Sequence, residues 1–328
     1  MSLLGPYIHN IDPIIGTIFG VHLWWYGLSY TLGFFNAFSF IGKRQVRLGL
    51  ATLQVYDLAI LIAFGVLVGG RLVEVAFYEW PFYSEHLHLV PALWLGGMAS
   101  HGLLIGGLAA VWIFCRIHDK PFLLMTDALA VPASFILGAG RIGNFIDGQI
   151  LGSITDVPWA VKFPDAEGFR HPVVLYDGLK NLLIIPVLLY VGGRFGAPRG
   201  FVTGLFLFLY SFLRIPVDVY REYPTSLLGL ATGQALNIAL SIVGLIVIFL
   251  AYRYSNEGET PLAVTPERVT LAGADIGWRR PVFILILAFC LIIPSDWTQD
   301  VPDRYGKRHP GLVHSRIYPQ IDDPTSSE

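Results

Sequence analysis

Between Gly138 and Gly152 the chain reads GAGRIGNFIDGQILG. Within nine residues this stretch carries the guanidinium of Arg141, the carboxamide of Asn144, the carboxylate of Asp147 and the carboxamide of Gln149, all set among small and apolar residues. A guanidinium can hold a phosphate or carboxylate through two parallel hydrogen bonds. An arginine at the centre of an inserted helix costs about 2.5–3.5 kcal/mol, so one found there usually faces a bundle interior or a pathway. Further groups of this kind recur along the chain: Arg71 with Glu74, His101 in WLGGMASHGLLIGG, His171 and Tyr176 in HPVVLYD, Tyr210 and Arg214 in YSFLR, and Asp218 just beyond. Several arginines with few carboxylates point to an anionic ligand. For Arg71 or Lys180 taken singly, a side chain snorkelling from a helix end is the simpler reading. Glycines accompany the group at Gly69–Gly70, Gly96–Gly97, Gly138, Gly140 and Gly143, where they serve helix packing or the close approach of a ligand to backbone. Packing is the reading for Gly106–Gly107, and both readings stay open for Gly140–Gly143.

The elements that must position these groups are membrane helices. Of 328 residues 54% are hydrophobic and 14% charged, outside the range of soluble domains. No Lys or Arg occurs from Met1 to Gly42, so the basic start of a secretory signal peptide is missing and the first apolar segment is expected to stay as a span. A hydrocarbon core of about 30 Å takes roughly 20 helical residues. That ruler gives seven spans: Ile14–Ile41, Leu58–Phe77, Ala92–Phe114, Phe122–Gly140, Val173–Gly193, Gly200–Val217 and Tyr223–Tyr252. Pro281–Pro294, bracketed by Trp278 and Trp297, is a candidate eighth. The fold class is thus all-α, a polytopic helix bundle. Residues 1–254 form the membrane unit, 255–280 a cytoplasmic connection, and 281–328 an extra span with a Pro-rich polar tail after Asp296.

Basic residues fall in alternate loops: Lys43, Arg44 and Arg47, then Arg116 and Lys120, then Arg194 and Arg199, then Arg253. By the positive-inside rule these loops are cytoplasmic and the N-terminus is outside. The chemistry-bearing residues then converge on the outer face. Net charge is −2 and no basic run is interleaved with aromatics, which argues against nucleic-acid binding. Cys115 and Cys290 have no CxxC or Cys/His spacing, so neither a disulfide framework nor a zinc site is indicated. A transporter would account for intramembrane charge, but no internal repeat is evident and the charges gather at one face instead of continuing across.

The run GRIGNFIDGQILG resembles the Gly-Arg-x-Gly-Asn-Phe-x-Asn-x-Glu-x-x-Gly motif of the bacterial prolipoprotein diacylglyceryl transferases. Arg141, Gly143, Asn144, Phe145 and Gly152 match it. In the family's order stand WYGLSY at Trp25–Tyr30, GGRL at Gly69–Leu72, GGM before His101-Gly102, PWAVKFPD at Pro158–Asp165, HPVVLYD at His171–Asp177, YSFLR at Tyr210–Arg214, and Gly233–Gln234. The likeness runs from about Trp25 to Tyr252. Departures are Gln149 for a glutamate, Asp147 for an asparagine, Asp177 and Asp218 for glutamates, and Leu95 for an aspartate.

The resemblance implies an enzyme of the bacterial inner membrane, multi-pass with its N-terminus outside. It would move a diacylglyceryl group from phosphatidylglycerol to the lipobox cysteine of a prolipoprotein held by its signal peptide, with release of glycerol phosphate. The nucleophile belongs to the substrate, and no metal or other cofactor is called for if arginines stabilise the leaving phosphate. Carried onto this chain, Arg141 and Arg214 bind phosphate and leaving group, Asn144 and Tyr210 donate supporting hydrogen bonds, and His101 is the candidate base. Tyr26, Asp147, Gln149, Gly152 and Asp218 complete the substrate site. His22 and His171 are expected to be structural and His118 a solvated cytoplasmic residue. Glutamine cannot accept a proton in this range, so Gln149 leaves a second reading open: a non-catalytic or altered-specificity paralogue that binds anionic phospholipid or a membrane partner.

Overall fold

Trp25 is where the chain first becomes helical. The computed structural model describes residues 6–148, 150–164, 166–193, 197–222, 232–254, 276–295 and 316–319. Two strands precede the first helix, β2 (Ile14–Ile18) and β3 (Val21–Trp24), following the short β1 (Tyr7–Ile8). They pair antiparallel with Ile18 opposite Val21, and the two-residue turn Phe19-Gly20 has positive φ at both positions, 50° and 82°. That is the backbone demanded by a tight hairpin. The expected span Ile14–Ile41 therefore loses its first eleven residues to this hairpin. Charge-free apolar sequence cannot separate strand from helix, whereas β-branched Ile14, Ile15, Thr17, Ile18 and Val21 favour the strand.

Helix α1 (Trp25–Gly42) is followed by α2 (Thr52–Val73), which runs on through a π-turn at Glu74–Tyr78. A short α3 (Trp80–Glu85) leads to α4 (Ser100–His118) and α5 (Phe122–Ile146). After β4 (Val161–Lys162), which pairs parallel with β1, come α6 (Val173–Gly193), α7 (Phe201–Phe212), α8 (Arg214–Asp218), α9 (Thr232–Arg253) and α10 (Arg279–Cys290). Six helices among the described residues are long and apolar enough to cross a bilayer: Thr52–Tyr78, Ser100–His118, Phe122–Ile146, Val173–Gly193, Phe201–Asp218 and Gln234–Arg253. The protein is a multi-pass helical membrane protein. Helix α1, carrying Ser29, Asn36 and Ser39, packs against α5, α2 and α10 and exposes Trp25, Leu32 and Phe35.

Several span boundaries differ from expectation. The third span starts at Ser100, not Ala92, because Gly96 and Gly97 adopt φ of 84° and 75° and unwind the chain before it. The fourth runs past Gly140 to Ile146, so Arg141 and Asn144 lie on helix. Of the span placed at Tyr223–Tyr252, residues 223–231 lie outside the described residues. The candidate eighth span is only 12 helical residues, about 18 Å by helical rise. It lies against α1 and α2.

Glycines set the closest crossings. A Cβ on Gly106 of α4 would stand 1.9 Å from the Gly65 carbonyl oxygen of α2, and one on Gly69 would stand 2.4 Å from that of Gly102. Small residues at these i, i+4 positions let the two backbones touch. Gly143 is likewise a packing glycine, its Cβ position 2.8 Å from Cα of Tyr26 on α1. The basic loops are joined at one end of the bundle: Lys120 Nζ donates to the Gly49 carbonyl at 2.5 Å and Arg47 to that of Gly192 at 3.3 Å. His118 is part-buried there, 3.5 Å from Asp57, which Arg279 also engages at 2.6 Å, so it is not simply solvated.

Candidate lipid and phosphate site

At the end of α5 remote from those basic loops, three cations meet one carboxylate. Asp177 on α6 takes Arg141 Nε of α5 on Oδ2 at 2.7 Å, Arg214 Nη1 of α8 on the same oxygen, and Lys180 Nζ on Oδ1 at 2.9 Å. Arg214 Nε is also 3.3 Å from Asp218 Oδ1, and Asn237 Nδ2 of α9 donates to Asp218 Oδ2 at 2.9 Å. Asp177, Lys180, Arg214, Asp218 and Asn237 are all buried. Three cations against two carboxylates leave this group with one positive charge in excess. Arg141 Nη1 donates to Asn144 Oδ1, one turn on, at 3.1 Å.

Arg141 and Asn144 also line a cavity of about 360 Å³. Its wall is mainly apolar, with Phe34, Val66, Leu104, Ile136, Phe206 and Leu240 drawn from six helices. Tyr26, Ser29, His101, Arg141 and Asn144 supply polar groups to it. Tyr26 Oη is 3.2 Å from Tyr30 Oη, and His101 Nδ1 is 3.2 Å from Tyr78 Oη. Gly140 borders the cavity beside Ser29, whereas its neighbour Gly143 packs against Tyr26, so the two glycines of one motif do different work.

Of the residues singled out from sequence, Tyr26, His101, Arg141 and Asn144 are brought to the cavity. Arg214 and Asp218 stand behind it in the ion-pair group. Tyr210 is buried there too, its carbonyl accepting Lys180 Nζ at 2.9 Å and its ring centroid 4.4 Å from that nitrogen. Asp147 is fully buried and accepts from Ser295. Gly152 belongs to the loop past α5, where its carbonyl accepts from Arg170 at 3.0 Å and a Cβ would meet the His171 carbonyl oxygen at 2.3 Å. Gln149 lies outside the described residues.

Lys180 and Arg71 both depart from the expectation of side chains snorkelling from helix ends. Lys180 does not snorkel; it is buried in the pair with Asp177. Arg71 neither snorkels nor joins the other arginines. It is buried and caps carbonyls of the loop before α4: Val90 and Leu89 at 2.7 Å each, Gly97 at 3.2 Å, Ala92 at 3.3 Å, and Gly96. Its presence explains how an irregular, glycine-bent segment keeps its polar backbone satisfied. His22 stacks on Tyr318 with ring centroids 4.6 Å apart. His171, 3.1 Å from Tyr176 Oη, is held below the usual imidazole pKa by burial. Asp177 and Lys180 were absent from the sequence-derived site, although their i, i+3 spacing on a helix was a readable sign of pairing. Asn237 gave only the sign of a carboxamide within an apolar span.

A helix bundle with a mainly apolar cavity that carries arginine, histidine and asparagine on its wall defines a class: multi-pass helical membrane proteins. The particular family follows from comparison with known proteins. The model of the prolipoprotein diacylglyceryl transferase family matches residues 13–250, and the chain belongs to that family. It is 36% identical over 260 residues to the phosphatidylglycerol–prolipoprotein diacylglyceryl transferase of Nitrosomonas europaea, covering 76% of this chain and 93% of the relative. With the protein of the same name from Pseudoalteromonas atlantica it shares 38% over 261 residues, with the same coverages. With that of Geobacter sulfurreducens it shares 36% over 252 residues, 74% of this chain and 96% of the relative.

Proposed function

We propose that this protein transfers the diacylglyceryl group of phosphatidylglycerol to the lipobox cysteine of prolipoproteins. The observation that carries this reading is the cavity itself, apolar along its wall and furnished with Arg141, Asn144 and His101. Acyl chains fit the apolar wall, and the phosphodiester fits the guanidinium. The relatives, each named as the transferase, give no support to the non-catalytic alternative raised by Gln149.

In the reaction the substrate's thiolate sulfur attacks the glycerol carbon bearing the phosphate. A C–S bond forms, the C–O bond breaks with its electron pair on oxygen, and glycerol phosphate departs. The thiol proton passes to His101, whose Nδ1 is 3.2 Å from Tyr78 Oη; in the tautomer that donates Nδ1–H to that oxygen, Nε2 is the acceptor. Negative charge grows on the departing phosphate, where Arg141 meets it. Asp177, which Arg214 also engages, holds Arg141 from behind, and the excess positive charge of the group favours the product dianion. With its oxygen on Arg141, Asn144 keeps its NH2 as a donor to the head group. The signal peptide of the prolipoprotein occupies the membrane beside this site, in the inner membrane of a bacterium, with the N-terminus and the site on the outer side.

The test is lipid modification of a lipobox peptide by purified protein in phosphatidylglycerol micelles. Wild type should form the thioether. Arg141→Ala should lose at least about a hundredfold in rate, comparable with removal of one charge-stabilising donor, while remaining in the membrane. Turnover at the wild-type rate in Arg141→Ala would overturn the assignment.

A further inference from the structure

The family match ends at residue 250, yet the chain continues into α10, and this helix is built into the bundle. It lies along α1 so closely that a Cβ on Gly27 would stand 2.3 Å from the Cys290 carbonyl oxygen. Thr31 Oγ1 donates to the Leu287 carbonyl at 2.8 Å, and the Trp24 backbone N–H donates to that of Leu291, also at 2.8 Å. Phe283, Cys290 and Ile293 share a buried cluster with Tyr26 and Tyr30, the two tyrosines of the cavity wall. Past α10 the chain turns, and Ser295 donates to Asp147 Oδ2 twice, from its hydroxyl and from its backbone N–H at 3.3 Å. Asp147 caps the C-terminus of α5, which ends at Ile146, and stands one turn after Asn144 and two after Arg141. It is fully buried, so its carboxylate depends on donors supplied by protein.

We propose that α10 and the residues that follow it to Ser295 are part of the site's construction, with Ser295 a positioning residue that holds Asp147 and thereby fixes the last turn of α5 carrying Arg141 and Asn144. This inference rests on the proposed transferase reading for its kinetic consequence. Removal of the Ser295 hydroxyl takes one donor from this buried carboxylate and loosens the tie between Asp147 and the chain after α10. The end of α5 then shifts, and with it the two side chains that meet the phosphate. Displacement of reacting partners by about 1 Å can cost on the order of a hundredfold in rate.

The experiment compares Ser295→Ala, Ser295→Thr and Asp147→Asn in the full chain, in phosphatidylglycerol micelles with a lipobox peptide. Ser295→Ala should lower kcat about tenfold or more with KM for the peptide nearly unchanged, and Ser295→Thr, which keeps the hydroxyl, should restore most of it. Ser295→Ala added to Asp147→Asn should have no further effect. Unchanged kcat in Ser295→Ala, or equal losses in the Ala and Thr variants, would overturn the inference. If wild type itself shows no transfer, the transferase reading fails instead. The inference is then read from the rise in melting temperature on adding phosphatidylglycerol, which Ser295→Ala should shrink and Ser295→Thr keep. An equal rise in all three proteins would sink it.

Discussion

Arg141 on α5 and Arg214 on α8 share a single carboxylate oxygen, Oδ2 of Asp177 on α6. Two guanidiniums can stand this close inside a membrane protein only with an anion between them, and the same carboxylate serves Lys180 through its other oxygen. Removing one partner of a buried ionic group typically costs about 3–5 kcal/mol, because charge is left uncompensated. Asp177→Asn is therefore expected to lower the unfolding midpoint in detergent and to cut transfer sharply. Asp177→Glu, which restores the residue implied by the family motif, should keep both. Equal melting of wild type and Asp177→Asn would show that the three cations find other anions.

Arg71 predicts the opposite division between stability and chemistry. Its guanidinium caps five backbone carbonyls from Leu89 to Gly97, and Arg71 is not among the residues that line the cavity beside Arg141. Lysine has fewer donors and no planar fork, so Arg71→Lys should release this loop while leaving the phosphate site assembled. Hydrogen exchange at residues 89–97 should speed up markedly, and KM for phosphatidylglycerol should change less than twofold. A large KM effect with unchanged exchange would return Arg71 to the group of ligand-binding arginines.

The α2–α4 crossing is open to a third test. Gly106→Leu places a branched side chain where a Cβ alone would overlap the Gly65 carbonyl oxygen. The helices must part, and both His101 on α4 and Val66 on α2 line the cavity. Lower yield of folded protein and loss of transfer are expected. Gly107→Ala, whose Cβ would meet only Val66 at 3.3 Å, should be tolerated. Identical behaviour of the two variants would mean that the crossing can relax at little cost.

How much of this was legible follows from the kind of signal each element carries. Helices α2, α5, α6 and α9 are long apolar runs, and hydropathy alone finds them. Ile14–Trp24 reads as helix in the sequence yet forms a hairpin, because membrane-length apolarity says nothing about period. Arg141, Asn144 and His101 were found because polar groups in apolar spans are rare enough to mean something. Arg71 shows the limit of that rule: the same rarity marks an arginine that caps a loop. Ser295 and Tyr318 could not be read at all. Ser295 reaches Asp147 across 148 positions, and Tyr318 Oη accepts from the His22 backbone N–H across 296. Contacts of that range leave no local pattern.

Gln149 supports the last prediction. In the family motif that this stretch resembles, a glutamate holds the position, and Asp147 is the nearest residue that could replace its charge. Helix α5 ends at Ile146, and Gly148 and Ile150 take positive φ, 70° and 62°. Asp147 is nonetheless engaged: its Oδ2 accepts both donors of Ser295. Asp218 is engaged as well, by Arg214 and Asn237. Neither carboxylate is in a position to take over the glutamate's work without giving up a buried partner. Wild type should therefore transfer diacylglyceryl slowly but measurably. Gln149→Glu should raise kcat, by up to about a hundredfold if the carboxylate orients a reacting group, and Arg141→Ala should abolish activity in both backgrounds. The measurement is thioether formation on a lipobox peptide with the three proteins side by side. A slower Gln149→Glu enzyme would mean that Asp147 or Asp218 already supplies the charge, and that adding another sets two carboxylates in competition for Arg141.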